Sequence, residues 1–114
     1  MTIYALSSGA GISGVAIIIV SGQETSKVIK LLTKKNVPKP RVATLRKINN
    51  INTSELIDEG ILLWFPGPES YTGEDMAEIQ VHGSKAVIDA IHFSISTVEN
   101  CRLAEPGEFT KLAF

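Results

Sequence analysis

One stretch of the sequence carries acidic, amide and imidazole side chains at alternating positions. Apolar residues alternate along 77–82 with Glu78, Gln80 and His82. A period of two predicts a strand that places these three polar side chains on one face. Glu78 needs a partner or water there, because burying a lone carboxylate is expensive. It could accept hydrogen bonds from two N–H groups of a heterocycle, or form a structural ion pair, and spacing alone leaves both open.

The segment before this strand is predicted to form a loop that is longer than an ordinary hairpin turn. Pro66-Gly67-Pro68 follows an apolar strand pattern and cannot continue a hydrogen-bonded ladder. The loop that follows contains Glu69, Glu74 and Asp75, which we interpret as loop or surface acids. Among the nearby carboxylates only Glu78 has a strand position.

Several other chemistries are disfavoured. His82, His92 and the single Cys101 do not form a cluster at zinc-ligand spacing. We interpret His92 as a residue within the second helix, at the boundary between its buried and exposed faces. His82 either faces a ligand or is hydrogen-bonded to a loop. Gly9–Gly14 matches G-x-G-x-x-G but precedes a strand rather than a helix, which argues against dinucleotide binding. No phosphate-binding G-x-x-x-x-G-K-[ST] motif is present.

The elements that would position these residues follow from periodicity and turn residues. A capping-box pattern at Ser21 and Glu24 predicts the start of the first helix, which Pro38 limits. Ser84 is the expected N-cap of the second helix, whose apolar stripe is Val87, Ala90, Ile91, Ile95 and Val98. A third helix starts at 106–108. The expected strands are Thr2–Leu6, Val15–Val20 (buried on both faces), Val42–Ile48, Ile57–Phe65, Ala77–Val81 and Arg102–Ala104.

The order β-β-α-β-β-β-α-β-α indicates an α+β fold with a mixed sheet of about five to six strands and helices on one side. A length of 114 residues fits a single domain over 1–114. Because the chain stops at Phe114, within a new helix, we expect it to be the N-terminal part of a longer protein.

Charge is balanced overall but not along the chain. The formal net charge is −1, yet eight bases and no acid occur between residues 27 and 47. These bases are Lys27, Lys30, Lys34, Lys35, Lys39, Arg41, Arg46 and Lys47. They indicate a solvated helix face followed by outward-facing strand residues, or a surface that contacts nucleic-acid phosphates directly. The lone Cys101 and the absence of a signal peptide or membrane span favour a reducing, cytoplasmic location.

Three segments together resemble one family over essentially the whole chain. They are Gly14–Gly22, Leu63–Asp75 with its F-P-G-P-E-S-Y-T-G-E-D block, and Arg102–Thr110 with A-E-P-G-E-F-T. The sequence resembles the N-terminal domain of the MnmE (TrmE) family of tRNA-modification GTPases.

The resemblance implies a homodimeric domain, similar to half of a glycine-cleavage T-protein-like folate-binding domain, that binds formyl-tetrahydrofolate as a one-carbon source. It also implies that the longer protein hydrolyses GTP on a separate G domain with Mg and K. With an MnmG (GidA) flavoprotein, such proteins modify the wobble uridine of tRNA.

The same resemblance implies residue roles. Glu78 corresponds to the family glutamate that contacts the folate pterin, and Tyr71, Thr72 and Gly73 belong to the same site. The family usually has a folate-contacting Arg where this chain has Ile19, and commonly an Arg where it has Leu112. A further folate-contacting Lys would follow Phe114.

The departures at Ile19 and Leu112 motivate an alternative, a dimerisation scaffold with weakened or lost folate binding. A stand-alone enzyme similar to an aminomethyltransferase is a third possibility, although the chain has no evident catalytic pair. The chain is also about half as long as the resemblance to an aminomethyltransferase would require.

Overall fold

A computed structural model describes residues 1–7 and 14–113, without the side chains of Leu112 and Ala113. The order of elements agrees with the prediction. The strands are β1 Thr2–Leu6, β2 Val15–Ser21, β3 Thr44–Asn49, β4 Leu56–Phe65, β5 Met76–His82 and β6 Cys101–Leu103. The helices are α1 Thr25–Thr33, α2 Lys85–Ser96 and α3 Glu108–Ala113. Most of Gly9–Gly14, and Phe114, lie outside the described residues.

The described strands form one sheet in the order β3-β4-β5-β2-β1-β6. All neighbours pair antiparallel except β1 and β6, which are parallel. The expected α+β class with a mixed sheet is therefore confirmed. Its likeness to half of a T-protein domain stays a prediction.

The two longer helices pack on the same face of the sheet. α1 contacts β3 and β5, and α2 contacts β6, β1, β4 and β5. The alternate side chains Ile18, Val20, Ile79 and Leu62 face them and are at most 1% exposed. This is the core of the domain, and it confirms for α1 and α2 that the helices lie on one side of the sheet, whereas residues of α3 line the cavity with Ile19 of the other face.

The prediction that β2 is buried on both faces is wrong in this structure. Ile18 and Val20 are buried, but Ile17 and Ile19 are only half-buried, and Val15 is 48% exposed. A run of β-branched residues is typical of a central strand, and β2 is central. The two longer helices cover just one face, however, so the run leaves half-buried apolar side chains on the other, which we call the open face.

The predicted capping box at the start of α1 is also wrong. Glu24 is the N-cap and makes no side-chain capping bond. Ser21 cannot cap because it is the last residue of β2, where its hydroxyl bonds to Thr72 instead. The Oγ1 of Thr2, on β1, accepts the N–H of Glu24 at 2.8 Å. A tertiary contact therefore replaces the local one.

The start of α2 agrees with the sequence. Ser84 is its N-cap, and the Ser84 Oγ accepts the N–H of Val87 at 3.1 Å. Ile91, Ile95 and Val98 of the expected stripe are buried, but the stripe missed Ile88, which is 7% exposed.

Candidate functional site

A row of side chains crosses the open face of the sheet through Glu78. In the strand register Ile19 lies opposite both Ala5 on β1 and Glu78 on β5. Leu63 on β4 lies opposite Glu78 from the other side. Directly opposed residues place their Cβ atoms about 4.5–5.5 Å apart on the same face. Ile19 and Glu78, the two main site residues expected from the sequence, are therefore neighbours.

The carboxylate of Glu78 is half-buried and has no partner among the described residues. Its neighbours across the strands, Ile19 and Leu63, are apolar. None of the described side-chain hydrogen bonds or ion pairs includes Glu78. Because nothing in the described part of the protein uses its oxygens, this carboxylate retains its full capacity to accept hydrogen bonds.

Beside this row lies a cavity of about 650 Å³. Its floor includes Ala5 and Ile19, and Tyr71 contributes one wall. The opposite wall is the segment from Leu103 to Thr110, which joins β6 to α3. The volume lies within the range of small-molecule sites, roughly 300–1,000 Å³.

An ion pair fixes the conformation of the Leu103–Thr110 wall. Arg102 donates from both terminal nitrogens to the two carboxylate oxygens of Glu108, with 2.8 Å between Nη1 and Oε1. Glu108 Oε1 also accepts the N–H of Glu105 at 2.9 Å. The hydrogen bonds from Arg102, followed by that from Glu105, lower the pKa of Glu108 to about 2. The wall is therefore held by a carboxylate that stays ionised in all but strongly acidic solution.

The loop before β5 contributes unequally to the site. Tyr71 is 55% exposed and lines the cavity. Thr72 is 8% exposed, and its Oγ1 lies 2.7 Å from the Oγ of Ser21. Gly73 has φ of 81° and lines a separate depression with Gly22 and Asp75. Of the three loop residues expected at the site, only Tyr71 reaches this cavity.

Asp75 fixes the base of the same loop. Its Oδ1 accepts the N–H of Gly67 at 2.9 Å, and the loop begins with a cis peptide bond between Gly67 and Pro68. The interpretation of Asp75 as a loop acid fits this contact, which closes the connection between β4 and β5.

The two histidines are apart from the cavity. The Nδ1 of His82 lies 2.9 Å from both carboxylate oxygens of Asp58, and its backbone N–H donates to Asp58 Oδ2. Partial burial of Asp58 opposes its ionisation, but these hydrogen bonds outweigh that effect and lower its pKa. His82 is thus hydrogen-bonded, although to a strand rather than to a loop. His92 packs edge to face on Tyr4, and burial lowers its pKa.

Glu78 does not itself line the cavity, but it lies directly opposite Ile19 of the cavity floor. Two carboxylate oxygens at Glu78, beside an apolar floor, suit a heterocycle with adjacent N–H groups. The described lining contains Glu105 and Glu108 but no Lys or Arg. The described lining therefore offers no cation to a ligand that carries carboxylates. Among the described residues, no three His, Cys, Asp or Glu side chains are grouped to hold a metal ion.

The sequence interpretation missed the cavity wall that contains Glu105 and Glu108, and the ion pair from Arg102 that holds it. The signal was present, because A-E-P-G-E-F-T was singled out as a motif, but no site residue was assigned to it. Leu112 lies in α3, and its side chain is outside the described part of the chain.

Comparison with known protein families gives one match over nearly the whole chain. The family described as GTP-binding protein TrmE N-terminus matches residues 2–114. No helix among the described residues is long and apolar enough to cross a membrane.

Individual relatives are similar over the same span. The tRNA modification GTPase MnmE of Pelagibacter ubique is 78% identical over 114 residues, which cover 100% of this chain and 26% of that protein. The MnmE of Zymomonas mobilis is 44% identical, covering 99% of the chain and 26% of the relative. The mitochondrial GTPB3 subunit of a 5-taurinomethyluridine tRNA synthase of Danio rerio is 48% identical, covering 99% and 22%. The chain thus spans about a quarter of the length of these relatives.

Proposed function

This chain belongs to the TrmE N-terminal family, and we propose that it is a dimerising module that binds formyl-tetrahydrofolate for a tRNA-modifying GTPase. In this proposal residues 1–114 act as a single domain. Its task is to hold a one-carbon donor rather than to perform acid–base chemistry alone. The observation that carries the proposal is the unpaired carboxylate of Glu78 beside the cavity.

The chemistry proposed for Glu78 is recognition of the pterin ring. The pterin presents neighbouring N–H groups, and a carboxylate can accept two of them side by side. Ile19, Ala5 and Leu63 occupy the same row of the sheet and supply apolar contact. Such charge-assisted hydrogen bonds contribute about 1.5–3 kcal/mol, which corresponds to roughly 10- to 100-fold in affinity.

The glutamate tail of folate needs a cation that the described lining does not supply. The family position for an arginine is Ile19, which lies on the cavity floor. We propose that the tail is bound by a second copy of the chain, or by a lysine that follows Phe114 in the longer protein.

The open face of the sheet supports a homodimer. Leu45 is 60% exposed there, and the neighbouring side chains Ile61 and Leu63 are only half-buried. Contiguous exposed apolar surface marks interaction sites in soluble proteins. Sedimentation velocity over a wide concentration range tests this part of the proposal. A monomer at every concentration would refute it.

The folate claim is tested by calorimetric titration of formyl-tetrahydrofolate. We expect Glu78→Gln to weaken binding roughly 10- to 100-fold, since glutamine keeps the shape but loses the charge. Glu74→Gln is the matched control, because Glu74 is an exposed loop acid outside the sheet row that joins Ile19, Glu78 and Leu63. Equal affinities for Glu78→Gln and the unchanged chain would exclude the role of Glu78. If neither this chain nor a longer one that includes the following lysine bound folate, the folate proposal would be wrong.

The second candidate is a dimerisation scaffold with weakened or lost folate binding. It is favoured by Ile19, an apolar residue on the cavity floor where the family carries arginine. If Ile19→Arg created folate binding in a chain that otherwise shows none, the scaffold would be the better description. Micromolar binding by the unchanged chain would exclude it.

The remaining parts of the proposal concern the longer protein. The relatives named above are tRNA modification GTPases or a subunit of a 5-taurinomethyluridine-[tRNA] synthase. We propose that this chain serves such a protein in the cytoplasm. The partners would be an MnmG-type flavoprotein and tRNA with its wobble uridine. GTP, Mg and K would bind to a G domain outside this chain.

A further inference from the structure

Four basic side chains line one shallow depression of the described fold, far from the cavity. Its volume is about 490 Å³, and it lies between the C-terminal end of α1 and the outer edge of β3. Lys34 and Lys35 come from the turn after α1, and Arg46 and Lys47 come from β3. We propose that this depression, the basic edge, binds the phosphodiester backbone of RNA.

The cations of the basic edge are not neutralised locally. None of the four has a carboxylate oxygen within ion-pair distance among the described residues. Glu59 is the one acid in the described lining, opposite Lys47 in the β3–β4 register. The Nε of Arg46 is buried without an acceptor, and Nη1 of Arg46 has only a long 3.4 Å contact to the Leu45 carbonyl.

Structural roles explain only part of this cluster. Cations near a helix C-terminus interact favourably with its dipole, which accounts for Lys34. A lysine on an edge strand discourages pairing with another sheet, which accounts for Lys47. Neither reason calls for Arg46 and Lys35 in the same depression. A net charge of −1 also means that any attraction of a polyanion must come from a local surface rather than from the whole chain.

The composition of the basic edge favours phosphate contact over base recognition. Its described lining contains no aromatic side chain on which a base could stack. Lys and Arg contacts to phosphates position a nucleic acid without reading its sequence. The choice of RNA rests on the proposed function, because the relatives are tRNA-modifying proteins by name.

The position of the basic edge leaves the cavity free. β3 is one edge strand of the described sheet, whereas the cavity lies near β6 at the other edge. Five strand spacings of about 4.8 Å separate the two edges by roughly 24 Å. RNA could therefore lie along β3 while a ligand occupies the cavity.

The test is fluorescence anisotropy of a labelled tRNA transcript titrated with the 114-residue chain at several salt concentrations. Four phosphate contacts predict that a fourfold rise in salt weakens binding about 50- to 150-fold. Each change of Lys34, Lys35, Arg46 or Lys47 to Gln should reduce the slope of log affinity against log salt by about 0.7–0.9.

Two further variants control for net charge. Lys85→Gln removes one positive charge from α2, where Lys85 pairs with Asp89, and should leave the slope unchanged. Glu59→Gln removes the acid from the basic edge and should strengthen binding. All the changed residues except Arg46 are exposed, and circular dichroism verifies that each variant is folded.

Three results would overturn the inference. They are the absence of binding at low salt, slopes that the four substitutions leave unchanged, and equal displacement of tRNA by polyglutamate. The last would identify an acidic protein as the partner. Formyl-tetrahydrofolate titration of the same variants separates this inference from the proposed function. RNA binding without folate binding, by this chain and by the longer one, would refute only the folate proposal, and the reverse would refute only the basic edge.

Discussion

Replacing Thr72 with valine removes one hydroxyl from the contact that anchors the 66–75 loop to the sheet. The Oγ1 of Thr72 lies 2.7 Å from the Oγ of Ser21, whose side chain is fully buried. Valine has nearly the same shape, so the main loss is the partner of the Ser21 hydroxyl. An unsatisfied buried polar group costs about 1–3 kcal/mol. We expect Thr72→Val to lower the free energy of unfolding by about 1–2 kcal/mol.

Urea denaturation and thermal unfolding measure this effect. For a domain of this size a loss of 1 kcal/mol lowers Tm by about 4 °C or more. Thr53→Val, at an exposed turn residue, is the matched control and should change stability by no more than about 0.5 kcal/mol.

A double-mutant cycle with Ser21→Ala tests whether the two hydroxyls interact. Once Ser21 lacks its hydroxyl, the valine at position 72 no longer leaves a polar group unpaired. The two losses should therefore be non-additive, with a coupling of about 0.5–3 kcal/mol. Strict additivity would refute the hydrogen bond. A Thr72→Val chain of unchanged stability but weaker folate binding would instead assign Thr72 to the ligand.

Two further predictions concern stability. Gly60→Ala should cost about 1–3 kcal/mol in chemical denaturation, because the new Cβ would lie 2.1 Å from the Gln80 carbonyl oxygen; full stability would contradict this packing. Glu108→Gln should loosen the cavity wall at neutral pH, measured by hydrogen exchange at residues 104–110. The pKa of Glu108 is lowered from its ordinary value of 4.5 to about 2, so its ion pair with Arg102 contributes fully above pH 4.5 and is lost as Glu108 becomes protonated near pH 2. The difference between the two proteins should therefore disappear as the pH falls from about 4.5 to about 2. A difference that persisted unchanged to the lowest pH would contradict this assignment.

The order of elements was predictable because each carries its own local signal. Alternation along 77–82 correctly placed Ala77, Ile79 and Val81 on the buried face. Ser84 was correctly identified as a cap, because its partner lies within the same turn. Signals of this kind act over a few residues and do not depend on the rest of the fold.

The errors arose where a distant residue competed with a local pattern. Ser21 fits a capping box, but its hydroxyl bonds to Thr72, which lies 51 residues away in sequence. The Oγ1 of Thr2 caps the N–H of Glu24 from another strand. Because both contacts depend on how the sheet is assembled, no pattern within the first turn of α1 could reveal them.

In the candidate site, too, local features were predictable from the sequence and tertiary contacts were not. The face that carries Glu78 followed from alternation, but its lack of a partner required the strand register that sets Ile19 and Leu63 beside it. The cavity could not be predicted from the strand register alone, because its walls come from β1, the 66–75 loop and the segment after β6. A short motif could indicate that the 104–110 segment matters without indicating what it encloses.

The open face connects the wrong prediction for β2 with the proposed dimer. The sequence of β2 is typical of a strand that is buried on both faces, yet α1 and α2 cover one face only. Both observations can hold if a second copy covers the part of the open face beside the cavity, since Ile17 would then be buried at the interface and Ile19 beneath the ligand. Burying an isoleucine contributes about 1.5–3 kcal/mol, whereas leaving it half exposed gives up part of that gain. The apolar pattern of β2 is therefore better matched to the proposed dimer than to a single copy.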